Sequence, residues 1–167
     1  MILYEDKDII VCHKMAGIAV QSARIGEKDL VSMLNNHLME QAGQRMEPVR
    51  VVHRLDQPVE GIVVFAKNKK AAASLSAQIT DGSMKKVYQA VCCVTEAGRH
   101  WIGNAGKNDQ ELIDYMAKDA RTNSSAVVKK GQKDAKEARL SFRVMAADGL
   151  PCVLVEIHLD TGRHHQI

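Results

Sequence analysis

The fold of this chain is decided by residues 140–160, which read LSFRVMAADGLPCVLVEIHLD. Apolar and polar side chains alternate on both sides of Asp148-Gly149, and this period of two is typical of half-buried β-strands. An Asp-Gly pair between two such runs favours a tight hairpin turn. The stretch therefore predicts an antiparallel pair of strands at 140–147 and 152–159.

Three further segments are predicted to be strands. They are short apolar runs bounded by charged or turn-forming residues, and they span residues 8–12, 61–66 and 87–94. A run of this length without alternation is typical of a strand buried on both faces, which is our expectation for 61–66. Gly17 marks a turn after the first run.

Two segments have helical spacing. Apolar residues recur every three or four positions between residues 28 and 39, before Gly43, and again between residues 71 and 79. The polar segments at 98–110 and 119–135 indicate exposed loops or a hairpin tip. Strands outnumber helices and at least one pair is antiparallel. We therefore predict an α+β fold with a mixed, largely antiparallel sheet flanked by helices.

Composition favours one globular domain outside the membrane. The chain has 167 residues, 46% of them hydrophobic, and no repeat or linker divides it. No apolar run approaches the roughly 20 residues of a membrane helix, and the start MILYED is unlike a signal peptide. We expect a cytoplasmic protein whose four cysteines are reduced thiols, rather than a metal site or a disulfide framework.

Charge is distributed unevenly along the chain. Residues 1–60 carry 7 basic and 9 acidic side chains, whereas residues 61–167 carry 16 basic and 11 acidic ones. Basic clusters in the second part could line a polyanion such as RNA. Charge alone, however, equally fits an ordinary solvated surface, and favours that interpretation.

Two polar clusters adjoin predicted strands. The first is His53-Arg54-Leu55-Asp56, shortly before the strand at 61–66, and the second spans residues 160–166, directly after the strand that ends at residue 159. Loops at strand ends are frequent places for active sites because the sheet holds them rigidly. Either cluster taken singly is more typical of a polar turn.

Together with two other segments, the clusters resemble a known family. His53-Arg54-Leu55-Asp56 is followed by Gly61 and Phe65-Ala66-Lys67, and Lys86-x-Tyr88-x-Ala90 overlaps the start of the strand at 87–94. The second cluster lies within Leu159-x-Thr161-Gly162-Arg163-x-His165-Gln166-Ile167. Tyr4-Glu5-Asp6, Val11, Lys14 and Gly17 form an opening motif. In this order and at this spacing, the four motifs resemble the catalytic domain of RluA-type RNA pseudouridine synthases.

The resemblance implies an isomerase that converts uridine within RNA to its C-glycoside isomer. It implies Asp56 as the nucleophile, Tyr88 as the residue that stacks on the target base, and Arg163 as the cation that pairs with Asp56. A carboxylate can attack an electrophilic carbon and leave again. Attack at C1′, attack at C6 and a glycal route all remain open. No cofactor and no metal are expected.

The resemblance also implies contacts to RNA, either ribosomal or transfer RNA, from which the target base must be flipped out. Candidate substrate-binding residues are His53, Arg54, Lys86, Thr161 and His165. Arg54 is expected to contact the nucleotide or a phosphate, and His53 to be structural or to face the RNA. We expect a monomer.

The sequence departs from the family pattern at two places. Met15 follows Lys14 where a proline is usual, and the chain stops at Ile167, whereas relatives continue beyond the third motif. Residues 1–167 are therefore expected to form a catalytic domain that is incomplete at its C-terminus. One alternative is a synthase-like RNA-binding module with little or no activity.

A second alternative is a metal-dependent hydrolase that uses His158, His164 and His165 with a carboxylate. The spacing does not fit two histidines one helical turn apart, which is the pattern of many zinc sites. Neighbouring residues on a strand also point to opposite faces, so His164 and His165 are expected to diverge.

Overall fold

The computed structural model describes residues 1–22, 24, 26–42, 47–99, 109–146 and 151–167. The chain divides into two compact units, Met1–Met84 and Lys85–Ile167. Every strand pairing among the described residues is antiparallel. The predicted α+β class is confirmed, with two separate sheets where the sequence suggested one. The single domain at 1–167 stays a prediction.

The first unit is a four-stranded sheet with two helices. The strands are β1 (Ile2–Glu5), β2 (Ile9–Lys14), β3 (Arg50–Val51) and β4 (Gly61–Ala66), in the spatial order β1-β2-β4-β3. The helices are α1 (Leu30–Ala42) and α2 (Lys69–Thr80).

Both helices begin at polar caps. The Asp29 carboxylate accepts a hydrogen bond from the Ser32 backbone N–H at 2.7 Å, and Asn68 accepts from the Ala71 N–H at 2.8 Å. Such side chains satisfy N–H groups that the first helical turn leaves without partners. The apolar stripe of α1, including Leu34 and Leu38, packs on the sheet residues of β2 and β4.

The second unit is a five-stranded sheet. Its strands are β5 (Lys86–Cys93), β6 (Gln110–Asp119), β7 (Ser124–Val128), β8 (Lys136–Ala146) and β9 (Cys152–Leu159), in the spatial order β5-β9-β8-β6-β7. A short 3-10 helix at Glu96–Gly98 follows β5. The apolar cluster of this unit is built from β8 and β9, with Val144, Val153, Val155 and Ile157.

Most sequence predictions of elements are confirmed. The strands expected at 8–12, 61–66 and 87–94 correspond to β2, β4 and β5, and the decisive hairpin corresponds to β8 paired with β9. Its Asp148-Gly149 turn and the expected helix end at Gly43 lie outside the described residues. No helix among the described residues is long and apolar enough to cross a bilayer.

The expectations for three segments need correction. Residues 119–135 contain the expected hairpin tip, between β6 and β7, but they also contain β7 itself, and no strand was predicted where β6 lies. Strand β4 is not buried on both faces, since Ile62 is 60% exposed. In β6, the adjacent Leu112 and Ile113 point to opposite faces and are both exposed. The alternation that reveals a half-buried strand is therefore missing there.

Candidate active site

In the first unit, Asp56 lies on a turn between β3 and β4. The Val59 N–H donates to the Asp56 carbonyl at 3.0 Å, which closes the turn. The next residue is anchored to the segment after β2, because the Gly17 N–H donates to the Gln57 carbonyl at 2.8 Å. The Gln57 side-chain amide in turn donates to the Gly17 carbonyl at 3.0 Å. Asp56 itself is exposed. Its carboxylate therefore lies on the surface of a loop whose backbone is well anchored.

The buried ammonium of Lys14 gives this loop a second anchor. Lys14 has no exposed surface. Its Nζ donates to the carbonyls of Met15 at 3.2 Å, Ile18 at 2.7 Å and Gln57 at 3.0 Å. An ammonium has three protons, so all of them have an acceptor. Lys14 thus joins the end of β2 to the turn that carries Asp56.

Lys14 and Asp56 also interact through charge. Burial lowers the pKa of the Lys14 ammonium, because the charged form loses its hydration. The carboxylates of Asp56 and Glu60 act in the opposite direction and offset part of this lowering of the pKa. The attraction between the buried ammonium and the Asp56 carboxylate therefore adds to the hydrogen bonds that hold the turn.

The other residues of the first cluster have different surroundings. The Val64 N–H of β4 donates to His53 Nε2 at 3.1 Å, so a neutral His53 ring carries its proton on Nδ1. Leu55 packs against the apolar core, and a Cβ atom added at Gly61 would lie 3.2 Å from Leu55 Cδ1. Arg54 is exposed and has no ion pair among the described residues. Its guanidinium can therefore reach a phosphate.

In the second unit, strand register places Lys86 and Tyr88 on one face. Tyr88 pairs with Ile157, which pairs with Phe142 on β8. Two positions away, Lys86 pairs with Leu159 in the next row on the same face. Directly opposite residues of paired strands share a face, and so do alternate residues of one strand. We call this the Tyr88 face of the second sheet.

The third motif folds into a compact segment on β8. The Thr161 hydroxyl accepts from the Arg139 N–H at 2.8 Å and donates to Gln166 Oε1 at 2.9 Å. The same Gln166 oxygen accepts the Arg163 N–H at 2.9 Å, and the Gln166 amide donates to the Arg139 carbonyl at 3.1 Å. Gln166 and Thr161 thus hold the backbone that presents Arg163.

Arg163 uses only part of its hydrogen-bonding capacity. Its Nε donates to the Glu137 carbonyl at 2.6 Å, whereas Nη1 and Nη2 have no hydrogen bond with the residues that the structure describes. A Cβ atom at Gly162 would lie 3.4 Å from Lys86 Nζ, so Lys86 reaches the third motif across the sheet. Lys86 and Arg163, two basic residues selected by sequence analysis, therefore lie near each other in this unit.

The two adjacent histidines do not diverge as expected. The rings of His164 and His165 are stacked with centroids 3.8 Å apart. They lie in a turn rather than on a strand, and His165 has φ of +51°, so strand alternation does not apply. No group of three metal-binding side chains occurs in the described part of the chain.

The candidate residues thus fall into two sets. His53, Arg54 and Asp56 lie in the first unit, whereas Lys86, Tyr88, Thr161, Arg163 and His165 lie in the second. The pairing of Asp56 with Arg163 stays a prediction, as do the catalytic roles. Sequence analysis did not reveal that Lys14 is a buried anchor or that Gln166 organises the third motif. The sequence offered one signal for these roles, namely that Lys14 lies in the opening motif and Gln166 in the third motif.

A comparison with protein families supplies the decisive observation. Residues 8–167 match the family model of RNA pseudouridylate synthases. The match contains all of the candidate residues and nearly the whole chain. The chain belongs to the RNA pseudouridylate synthase family.

Curated members of this family are similar along the full length of the chain. A tRNA pseudouridine synthase C of Vibrio cholerae is 28% identical, with 99% of this chain and 66% of the relative covered. An uncharacterized RNA pseudouridine synthase of Bacillus subtilis is 30% identical, with 99% and 51% covered. The chain thus spans about half to two thirds of the length of these relatives.

Solved structures of pseudouridylate synthase domains share the fold. Human RNA pseudouridylate synthase domain containing 4 has a TM-score of 0.75 at 22% identity, with 99% of this chain and 60% of that chain covered. Human RNA pseudouridylate synthase domain containing 1 has a TM-score of 0.67 at 19% identity, with 99% and 61% covered. The predicted pseudouridine synthase fold is therefore confirmed.

Proposed function

We propose that this chain converts uridines in RNA to pseudouridine and that Asp56 is the nucleophile. The observation that carries the proposal is the Asp56 turn, which lies within the family match and exposes a carboxylate while Lys14 and Gly17 hold its backbone. A nucleophile must keep its position while bonds to it form and break. An exposed carboxylate on an anchored turn meets both requirements.

The proposed reaction is an isomerisation. The N1–C1′ bond of the uridine breaks, the uracil turns within the site, and C5 bonds to C1′. C5 then loses its proton and N1 ends with one, so the product has the composition of the substrate. Asp56 would act by attack at C1′, by attack at C6, or by promoting a glycal route. The proposed reaction consumes no oxidant or reductant.

Tyr88 and Arg163 are proposed to complete the machinery. The Tyr88 ring is half-buried on its sheet face, which supports stacking on an extruded base, as aromatic side chains commonly do with RNA. The two unused nitrogens of Arg163 support the role of a cation that pairs with a carboxylate. Arg54 and Lys86 are proposed to contact the nucleotide or its phosphates, and His53, Thr161 and His165 to shape the substrate site.

The proposed partner is RNA, and transfer RNA is the first class to test. The Vibrio cholerae relative carries the name tRNA pseudouridine synthase C, and this chain is 28% identical to it. Ribosomal RNA is the second class. We propose that the protein acts as a monomer in the cytoplasm, which size-exclusion chromatography and cell fractionation would test.

The test is tritium release from RNA that carries tritium at uridine C5. Transfer RNA transcripts without modifications serve as substrate, and Asp56→Asn is compared with Asp114→Asn, a matched change of an exposed carboxylate on β6. We expect Asp56→Asn to reduce release by about 10³-fold or more and Asp114→Asn to have little effect. RNA binding should survive both changes.

Two outcomes would overturn the proposal. If no protein releases tritium from transfer or ribosomal RNA while binding persists, the chain is an RNA-binding module. If Asp56→Asn retains full activity, the isomerase assignment stands but another residue is the nucleophile.

A further inference from the structure

A recess of about 280 Å³ lies on the second unit, where β6, β7 and β8 meet the third motif. We call it the basic recess. Its polar lining consists of Lys118, Ser125, Asp134, Lys136, Arg163 and His164. Sequence analysis did not single out Lys118, because β6 was not predicted. The recess belongs to the second unit, and the Asp56 turn belongs to the first.

The strand register explains why these side chains converge. Lys118 of β6 pairs with Ser125 of β7, and Met116 of β6 pairs with Lys136 of β8. Directly paired and alternate residues share a face, so Lys118 and Lys136 lie on one face of the sheet. The Ser125 hydroxyl lies 2.9 Å from His164 Nδ1, which fixes one wall of the recess.

The cations of the basic recess lack the carboxylate partners that other cations of this sheet have. Arg139 pairs with Glu111 and Glu137, and Arg143 pairs with Glu156 at 2.6 Å. By contrast, Lys118 and Lys136 form no ion pair within 4 Å in the part of the chain that the structure describes. Among the described residues of the lining, Asp134 is the single carboxylate, against the basic side chains of Lys118, Lys136 and Arg163. The recess therefore favours an anion.

Two backbone conformations at its border are unfavourable for side-chain-bearing residues. Asp134, in the lining, has φ of +62°, and His165, next to His164, has φ of +51°. Asp134 belongs to the loop before β8 and His165 belongs to the third motif, and these two segments border the recess.

The position on the sheet indicates which part of a substrate the recess could hold. Lys136 lies six residues along β8 from Phe142, the residue in the row of Tyr88. Six residues of a strand span about 20 Å. Lys136 is therefore too far from Tyr88 to contact a base stacked on that ring, and it is placed for the backbone of flanking RNA.

We propose that the basic recess binds an RNA phosphodiester that flanks the target uridine, with Lys118 and Lys136 as its principal contacts. This inference rests on the proposed function, since it assumes that RNA is the substrate. Contacts of this kind position an RNA without reading its sequence. The recess would thus set the register of the RNA on the Tyr88 face.

The experiment compares two double variants that remove equal charge. Lys118→Gln with Lys136→Gln changes the recess, and Lys129→Gln with Lys133→Gln changes exposed lysines outside its lining. Binding of a fluorescein-labelled, unmodified transfer RNA transcript is measured by anisotropy at several salt concentrations. Tritium release gives kcat and KM on the same transcript, and circular dichroism checks the fold of each variant.

We expect the recess variant to bind about tenfold more weakly and the slope of log Kd against log salt to fall by about 1. Its KM should rise while kcat at saturating RNA is unchanged. The control variant should bind within about twofold of the unchanged protein. Lys118→Arg with Lys136→Arg should restore binding, because it keeps the charge.

Equal weakening by both Gln variants, or weakening by neither, would overturn the inference. These results are distinct from failure of the proposed function. Weaker binding by the recess variant with no isomerisation by any protein would reject the enzyme assignment and keep the recess as an RNA site. Asp56-dependent isomerisation with an unchanged KM in the recess variant would reject the recess alone.

Discussion

The two units of this chain protect their sheets to different degrees. In the first unit, Ile10, Cys12, Val63 and Phe65 have no exposed surface, because α1 covers the sheet. In the second unit, the apolar cluster keeps between 5% and 8% of its surface exposed. A helix-covered sheet provides a rigid base for the Asp56 turn. On the second sheet, Tyr88 and Phe142 pack against this cluster and stay half-buried, so their face can contact a large ligand.

The units also hold their polar motifs by different means. The Asp56 turn depends on a buried ammonium, Lys14, whose three protons are donated to backbone carbonyls. The third motif depends on neutral side chains, since Gln166 and Thr161 link Arg163 to β8. Removing the ammonium leaves three part-buried carbonyls without their donor, and hydrogen bonds from a charged group contribute more than those between neutral groups. The Asp56 turn should therefore be the more brittle of the two.

The largest expected difference is between the two phenylalanines. Phe65 is fully buried in the first unit, and Phe142 is half-buried in the second. We expect Phe65→Ala to lower the free energy of unfolding by about 3–5 kcal/mol, the usual cost of emptying a packed core. Phe142→Ala should cost about 1–2 kcal/mol, because less of its surface is buried. Urea unfolding followed by circular dichroism measures both.

Hydrogen exchange with mass spectrometry would assign each loss to its unit. Phe65→Ala should raise exchange in β2 and β4, and Phe142→Ala in β8 and β9. Equal costs for the two substitutions would show that exposure of the second sheet does not weaken its packing.

The next effect concerns the buried ammonium. Lys14→Met keeps an unbranched apolar side chain but leaves the carbonyls of Met15, Ile18 and Gln57 without their donor. We expect a loss of about 2–4 kcal/mol in unfolding free energy. Lys7→Met, at an exposed position, is the control and should change stability little. The two are compared by thermal and urea unfolding, and a loss below 1 kcal/mol for Lys14→Met would contradict the anchoring role.

The sequence predicted those parts of the fold whose local pattern agrees with their surroundings. Strands β8 and β9 alternate clearly, and α1 has an apolar stripe, so both were found. Strand β6 was missed because Leu112 and Ile113 are both exposed although its neighbours β7 and β8 pair with it on both sides. Pairing partners far along the chain, rather than its own pattern, make this segment a strand.

The candidate site was predictable only through the resemblance of whole motifs. His53-Arg54-Leu55-Asp56 and the third motif were found in this way, but their internal contacts were not. Lysine side chains are almost never fully buried, so the local sequence does not predict that Lys14 lies in the interior. The convergence of Lys118 and Lys136 depends on the register of β6, which the sequence did not reveal.

A smaller effect concerns ion pairs and pH. Lys67 donates to Glu5 at 2.7 Å, and this hydrogen bond lowers the pKa of the Glu5 carboxyl, with burial opposing it and His37 adding to it. A lowered folded-state pKa gives stability that is present above the ordinary carboxyl pKa of 4.5 and is lost as pH falls through the folded value. Glu5→Gln should cost about 1 kcal/mol at pH 7, and the deficit should close in acid.

In the second unit, Arg143 likewise lowers the pKa of Glu156, but the Arg143 side chain is 47% exposed. Glu156→Gln should therefore cost less than Glu5→Gln at pH 7. Urea unfolding at pH 7 and at pH 3.5 (about one pH unit below the ordinary carboxyl value) measures both. A Glu5→Gln deficit that persists unchanged in acid would contradict the ion pair as its source.

The smallest perturbation leaves the sequence unaltered and uses the reactivity of the thiols as a probe. Cys12 is fully buried, and burial raises its pKa, whereas Cys92 and Cys93 are exposed on β5. The thiolate is the reactive form. Iodoacetamide should label Cys92 and Cys93 about 100-fold faster than Cys12, since Cys12 reacts only when the unit opens. Mass spectrometry gives the rates, and comparable labelling of Cys12 would show that the first unit is not the better protected one.

The contact between Gly61 and Leu55 has a consequence for how this chain can evolve. Gly61 has φ of +156°, which residues with a side chain rarely adopt, and a Cβ atom there would lie 3.2 Å from Leu55 Cδ1. A smaller residue at 55 would relieve this contact but not the backbone cost of an alanine at 61. Position 55 adjoins Asp56, so a substitution at 61 that displaces Leu55 would also affect the residue that we propose as the nucleophile. Selection then acts on the pair of residues and not on either one.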